Sequence, residues 1–110
     1  MKVTLYLDED AQDNDLLQAL QAHGADVVRA DEEQFLTATV QGRVLYGFNV
    51  GDYFKLHTAF LQQGRSHAGI VLAKQQHYSV GEQMRRLLKL ITVKSAEELR
   101  DQLEFLSDWG

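Results

Sequence analysis

The feature that most constrains the fold is a regular alternation of short apolar runs with longer stretches of helical periodicity along 110 residues. The run from Val3 to Leu7 is apolar and rich in β-formers, and it stops at acidic residues as a buried parallel strand stops at a loop. Similar runs follow at 26–29, 44–48 and 69–73, and 91–93 is a candidate fifth strand. Strands that alternate with helices favour a parallel sheet covered on both faces. The sequence therefore predicts an α/β fold, with one three-layer domain spanning 1–110.

Helix signals lie between the strand candidates. A capping box at 79–82 precedes a clean apolar stripe with the spacing i, i+3, i+4, i+7. A second box at 95–98 stands before Leu99, Leu103 and Leu106. These patterns predict two helices in the last third of the chain, the second of them carrying the three leucines.

Composition excludes several classes of protein. With 45% hydrophobic and 25% charged residues, the chain is typical of a soluble globular domain. It has no cysteine, which excludes disulfide scaffolds, thiol catalysis and cysteine-based zinc sites. Since no apolar run approaches the ~20 residues that cross a bilayer and no signal-peptide pattern is present, we expect a cytoplasmic protein without a membrane partner.

The charges are distributed unevenly along the chain. Residues 1–55 carry four basic and ten acidic side chains, whereas 65–94 carry six basic side chains and a single acid, Glu82. An acidic domain is a poor nonspecific ligand for nucleic acid, because Lys and Arg supply most of that affinity. The basic segment can contact a phosphate backbone. Its helical cations are more simply explained as a solvated face opposite an apolar stripe.

Polar side chains follow the first three predicted strands. They are Asp8, Glu9 and Asp10 after the first strand, Asp31, Glu32 and Glu33 after the second, and Asn49 and Asp52 after the third. Ligands of open α/β sheets bind at the carboxyl ends of the strands, where these loops meet if the first strand is central. Crowded carboxylates repel unless a cation offsets them, and hard oxygen donors select Mg²⁺ or Mn²⁺. Such ions commonly act on phosphate esters, so the pattern predicts a metal-dependent phosphodiesterase.

A purely structural role is the alternative for several of these acids. Asp is a preferred helix N-cap, and this role alone can account for each of Asp13, Asp31 and Asp52. The run Asp8–Asp10 differs, because three acids directly after a buried strand repel one another and only one of them can cap a helix. His57 lies on the apolar face of its helix and is predicted to be a packed, hydrogen-bonded histidine.

Longer segments of the chain resemble the PIN-like domains of unknown function, which are relatives of VapC-type toxins. The segments are LDED at 7–10, DEE at 31–33, GRVLYGFNVGDYFKLH at 42–57 and HAGIVLA at 67–73 followed by YSVGEQMRRLL. This resemblance covers nearly the whole chain and is most specific over 42–88. It implies a parallel sheet with strand order about 3-2-1-4, and RNA cleavage with Mg²⁺ or Mn²⁺.

The resemblance also assigns the site residues. It implies that Asp8, Asp10, Asp31 and Asp52 are catalytic, and that the metal is held by these four together with Glu32 and Asn49. The partners it implies are an RNA substrate, an antitoxin protein if the chain is a toxin of a toxin–antitoxin pair, and a second copy of the chain. Phe105 and Trp109 are candidates for a dimer interface, or they close the core.

Two other functions stay open. Asn49 stands where active relatives commonly carry an Asp, so the chain can be a catalytically impaired PIN-like module that binds a protein partner or RNA. A receiver-like signalling domain also carries acids after its first strand. That reading needs a phosphorylatable Asp where this chain has Asn49.

Overall fold

A computed structural model describes residues 2–8, 14–29, 34–74 and 77–110. The elements are β1 (Thr4–Leu7), α1 (Asn14–Ala22), β2 (Asp26–Arg29), α2 (Gln34–Gln41), β3 (Val44–Gly47), α3 (Val50–Gln62), β4 (Ile70–Leu72), α4 (Val80–Val93), α5 (Ala96–Leu99), β5 (Leu103–Phe105) and a 3₁₀ turn (Leu106–Trp109). Among the helices in the described ranges, none is long and apolar enough to span a membrane.

The five strands form one sheet in which every pairing is parallel. This confirms the α/β class and the parallel sheet. The strand order is β2-β1-β3-β4-β5, so the predicted order 3-2-1-4 is wrong. β1 lies between β2 and β3, and β4 pairs with β3 rather than with β1.

The polarity of the strands accounts for this order. β3 is buried at all four of its residues, whereas β2 begins with the exposed Asp26 and ends with Arg29. Edge strands tolerate charge, and charge there discourages pairing with other chains. In the order 3-2-1-4 the apolar β3 would lie at the edge and the charged β2 inside. The observed order places the fully buried β3 inside the sheet and β2, with its exposed Asp26, at an edge.

Helices cover both faces of the sheet. Leu5, Leu7 and Val71 pack on one face with α1 and α4, and Tyr6 and Leu45 pack on the other with α2 and α3. Successive residues of a strand point to opposite faces, so a strand buried on both faces must be apolar throughout. This arrangement is compatible with the predicted three-layer domain.

The end of the chain differs from its prediction in two ways. Residues 91–93 form the last turn of α4, where Thr92 Oγ1 donates to the Leu88 carbonyl at 2.7 Å. The fifth strand is instead Leu103–Phe105, within the segment predicted as a helix. That helix ends after one turn, because Asp101 adopts a left-handed φ of 63° and redirects the chain along β4. An Asp takes this conformation more readily than most residues.

Phe105 and Trp109, the candidate interface residues, have different environments. Trp109 is half-buried and packs against the core on the α1 and α4 face. Phe105 is 39% exposed at the edge strand β5. Trp109 therefore closes the core, and Phe105 presents its ring to solvent.

Candidate functional site

Asp8 is the buried acid at the end of β1. It is 3% exposed, and it is the one buried carboxylate among the side chains that the structure describes. Its backbone N–H donates to the Tyr46 carbonyl at 2.9 Å, which extends the β1–β3 ladder by one residue beyond β1. A carboxylate out of water is costly unless it is paired, hydrogen-bonded or bound to a cation. The sheet thus fixes the position of a buried carboxylate at the carboxyl ends of its strands.

The strand order gives this edge its shape. After β2 the chain returns to the opposite side of β1, so connections leave β1 and β3 toward opposite faces of the sheet. Doubly wound sheets of the order 2-1-3-4-5 bind their ligands at this switch point between β1 and β3. Asp8 follows β1, and Asn49 and Asp52 follow β3. These three residues therefore lie close after the two strand ends that border the switch point.

Gly47, the last residue of β3, allows Asp8 and α3 to approach each other. A Cβ at position 47 would lie 2.9 Å from Cε2 of Tyr53 and 3.0 Å from Oδ2 of Asp8. Real Cβ contacts are not this short, so any larger residue displaces the Tyr53 ring or the Asp8 carboxylate. Glycine is used here for close packing.

Asn49 and Asp52 form a hydrogen-bonded pair at the start of α3. Asn49 is the N-cap: its Oδ1 accepts from the Asp52 backbone N–H at 3.4 Å, and its Nδ2 donates to Asp52 Oδ2 at 2.8 Å. The cap role predicted for Asp52 is therefore wrong, because α3 begins at Val50 and Asp52 lies in its first turn. The amide holds an exposed carboxylate at a helix N-terminus, where a negative charge is favourable.

The other predicted site residues, Asp10, Asp31 and Glu32, lie outside the described residues. Within the described ranges, no three side chains of His, Cys, Asp or Glu come together in a group that could hold a metal ion. The described part of the fold thus supplies Asp8 and the Asn49–Asp52 pair to this edge. All three are hard oxygen donors, the chemistry that Mg²⁺ and Mn²⁺ prefer.

A pair of histidines, the buried His67 and the half-buried His57, lies near the amino ends of the strands. His57 is hydrogen-bonded as predicted, with its Nδ1 2.8 Å from Nε2 of His67. The Gly69 backbone N–H donates to His67 Nδ1 at 3.0 Å, so Nε2 of His67 carries the proton and donates to His57. The Asp101 carboxylate accepts from the His67 backbone N–H at 2.9 Å. No spacing motif in the sequence indicates this pair, because ten residues separate its members.

The stability of the protein is expected to fall as the pH is lowered from about 7.5 to about 5.5, through His67. Burial lowers its pKa below the ordinary value of 6.5, and His57 lowers it further against the opposing effect of Asp101. The unfolded chain then binds more protons than the folded chain. The contribution of His67 to the free energy of unfolding is complete above pH 6.5. Below that pH it falls by up to ~1.4 kcal/mol per pH unit.

Urea unfolding of wild type, His67→Asn and His23→Gln at the two pH values measures this effect. His23 is an exposed histidine and serves as the matched control. The acid sensitivity should shrink in His67→Asn and persist in His23→Gln. An unchanged pH dependence in His67→Asn would show that other groups cause it.

One cavity lined by described residues is remote from Asp8. It has a volume of about 580 Å³ and is lined by Thr4, Val44 and Ala68, which lie at or before the starts of β1, β3 and β4. Lys2 and Arg100 contribute cations to it. Because its strand residues come from the amino ends of the strands, the cavity belongs to the edge opposite the switch point. Of the predicted site residues that the structure describes, Asp8, Asn49 and Asp52, none lines this cavity.

Comparisons with protein-family models, with curated proteins and with solved structures gave no significant match. The fold class by itself hosts many unrelated activities. The function of this chain is therefore argued from the residues at the carboxyl edge of the sheet.

Proposed function

We propose that the chain is a divalent-cation-dependent ribonuclease of the PIN-like type, with Asp8 as its central metal ligand. The observation that carries the proposal is the burial of Asp8 at the β1–β3 switch point. A buried carboxylate at the edge where α/β sheets bind ligands is the kind of group that binds a hard cation. The resemblance of 42–88 to PIN-like domains points to the same chemistry.

Each residue of the site has a distinct role in this proposal. Asp8 supplies a fixed carboxylate, and Asp52 supplies a second one whose position Asn49 holds through its Nδ2. Asp10, Asp31 and Glu32 are assigned as further ligands by their sequence positions alone. When bound, Mg²⁺ or Mn²⁺ would orient a water molecule for in-line attack and stabilise charge on the phosphoryl oxygens. Gly47 and Tyr53 keep the Asp8 carboxylate in place by packing.

A second candidate is a module of the same fold that binds RNA or a protein partner without cleaving RNA. The observation that favours it is the 2.8 Å hydrogen bond from Asn49 to Asp52, since the amide satisfies a carboxylate oxygen from within the chain. If the chain is a toxin, the protein partner is an antitoxin. An aspartyl-phosphate receiver is disfavoured, because the residues directly after β3 are Phe48 and Asn49.

A cleavage assay on single-stranded RNA of mixed sequence tests the proposal. We expect endonucleolytic products with Mn²⁺ or Mg²⁺ and none with excess EDTA. Fractions across a final gel-filtration peak should show activity that follows protein concentration, which controls for a contaminating nuclease. RNA binding without cleavage under every metal condition would favour the second candidate.

Asn49→Asp is expected to raise the affinity for Mn²⁺ about tenfold, because it supplies a charged ligand in place of an amide. Asp is as good an N-cap as Asn, so α3 keeps its first turn. In EDTA the new carboxylate repels Asp52, and the variant should unfold at a slightly lower temperature than wild type. Thermal unfolding with and without Mn²⁺ measures both effects.

Ser95→Asp is the control for Asn49→Asp. Ser95 caps the short helix α5, and its substitution also changes a neutral N-cap into an acid. We expect no change in Mn²⁺ affinity for Ser95→Asp. Equal responses of the two variants to Mn²⁺ would remove Asn49 from the metal site.

A further inference from the structure

A second cavity opens at the carboxyl edge of the sheet, beside the candidate site. It has a volume of about 250 Å³ and lies at the ends of β4 and β5. Leu72 and Ala73 are buried and form its floor, while the 39% exposed Phe105 forms part of its rim. Lys74 and His77 are exposed and add polar groups to the rim. The cavity thus combines an apolar floor, an aromatic ring and a cation.

A backbone hydrogen bond between β4 and β3 connects this cavity to Asp8. The Ala73 backbone N–H donates to the Gly47 carbonyl at 3.2 Å, and Gly47 is the residue against which the Asp8 carboxylate packs. β1, β3 and β4 are successive neighbours, so two strand spacings, about 10 Å, separate Asp8 from Ala73. Val50, another lining residue, lies between Asn49 and Asp52 in the chain. The cavity and the site therefore share one continuous edge.

We propose that this cavity holds one unpaired base of an RNA strand whose backbone passes Asp8. The inference rests on the proposed function and adds a base-binding subsite to it. A volume of about 250 Å³ is smaller than the ~300–1,000 Å³ of pockets for drug-sized ligands and suits one ring system. Phe105 offers the face on which a base can stack, and such stacking tolerates any base.

The geometry also selects the form of the nucleic acid. A base that enters a recess must leave its stack, which a single strand allows and a duplex opposes. Lys74 stands at the rim, where the backbone of a strand entering the cavity would pass. The chain carries a net charge of −5, so general attraction to phosphate is weak and contacts in the cavity should dominate affinity.

The test is a fluorescence anisotropy titration in EDTA with a labelled single-stranded RNA of about eight nucleotides, within the site size of single-strand binding proteins. We expect Phe105→Ala to weaken binding about five- to tenfold, as the loss of one stacked base predicts. Phe54→Ala is the matched control, because Phe54 is a 53% exposed ring on α3 and does not line the cavity. The same RNA as a duplex should bind several-fold more weakly.

A charge-reversal variant tests the same proposal if Phe105→Ala does not fold. Lys74→Glu is expected to weaken binding at least threefold, whereas Lys55→Glu, at an exposed lysine of α3, should leave it within twofold of wild type.

Free nucleoside monophosphates are added as competitors in a further experiment. Competition only by the RNA strand supports a subsite for RNA. Competition by the free nucleotides at equal concentration would assign the cavity to a small ligand and overturn the proposal.

The remaining outcomes separate this inference from the proposed function. If Phe105→Ala and Phe54→Ala bind RNA equally, the subsite is wrong even where wild type cleaves RNA with Mn²⁺. If Phe105→Ala alone weakens binding but no metal supports cleavage, the subsite stands and the ribonuclease fails. If wild type binds no single-stranded RNA, the subsite is overturned.

Discussion

Replacing Asp8 by Asn is expected to lower the rate of Mn²⁺-dependent RNA cleavage at least ~100-fold, which corresponds to ~2.7 kcal/mol of lost transition-state stabilisation. The substitution keeps the size of the side chain but removes the charge that a hard cation requires. Asp8 is 3% exposed and its backbone is held by the β1–β3 ladder, so its side chain occupies a fixed position at the end of β1. Initial cleavage rates at saturating Mn²⁺ measure the effect.

The fold should survive this substitution. Asn has nearly the same size as Asp, and a neutral amide is less costly to bury than a carboxylate, so Asp8→Asn is expected to remain folded in EDTA. Mn²⁺ should raise the unfolding temperature of wild type and not that of the variant. Asp108→Asn, at an exposed acid of the terminal 3₁₀ turn, is the control and should keep both responses. Retained cleavage by a folded Asp8→Asn protein would contradict the assignment.

Gly47→Ala is expected to impair both stability and activity. The added Cβ meets Tyr53 and Asp8 at 2.9 and 3.0 Å, and overpacking of this kind costs about 1–3 kcal/mol. Tyr53 is 7% exposed and cannot move freely, so part of the strain falls on the Asp8 carboxylate. A displacement near 1 Å at a reacting centre can lower a rate about 100-fold. Urea unfolding and the cleavage assay, made on the same preparation, give both quantities.

Gly51→Ala is the matched control for this prediction. Gly51 lies in the first turn of α3, and a Cβ there meets nothing within 4 Å. Since Ala loses less backbone entropy than Gly on folding, this variant should be more stable by about 0.5–1 kcal/mol. Equal stabilities of Gly47→Ala and Gly51→Ala would show that the residues around position 47 accommodate the added methyl group without loss of stability.

The local elements could be predicted from the sequence because local chemistry determines them. The apolar runs at 4–7, 26–29 and 44–47 are strands, and Ser95 with Glu98 forms the expected capping box. Ser79 caps α4 as predicted, by accepting from the Glu82 backbone N–H. The Glu82 side chain instead binds Arg85 and Arg86, which lowers its pKa to about 2.

What the sequence did not reveal depends on contacts between distant segments. The side of β1 on which β3 pairs follows from the burial of whole strands, and no spacing in the sequence encodes it. The close approach of Gly47 to Asp8 and the His57–His67 pair are also products of the tertiary fold. The strand at 103–105 was not predicted because Leu103 also continues a helical spacing from Leu99 to Leu106. The left-handed conformation of Asp101, which ends α5, has no glycine to signal it.

Calorimetric titration of the wild-type chain with Mn²⁺ tests the central claim most directly, because it needs no knowledge of the RNA. The account predicts saturable binding with a stoichiometry of one or two ions, abolished in Asp8→Asn and unchanged in Asp108→Asn. A folded wild-type protein that binds no Mn²⁺, or binding that is the same in Asp8→Asn, would contradict a metal site at the β1–β3 edge.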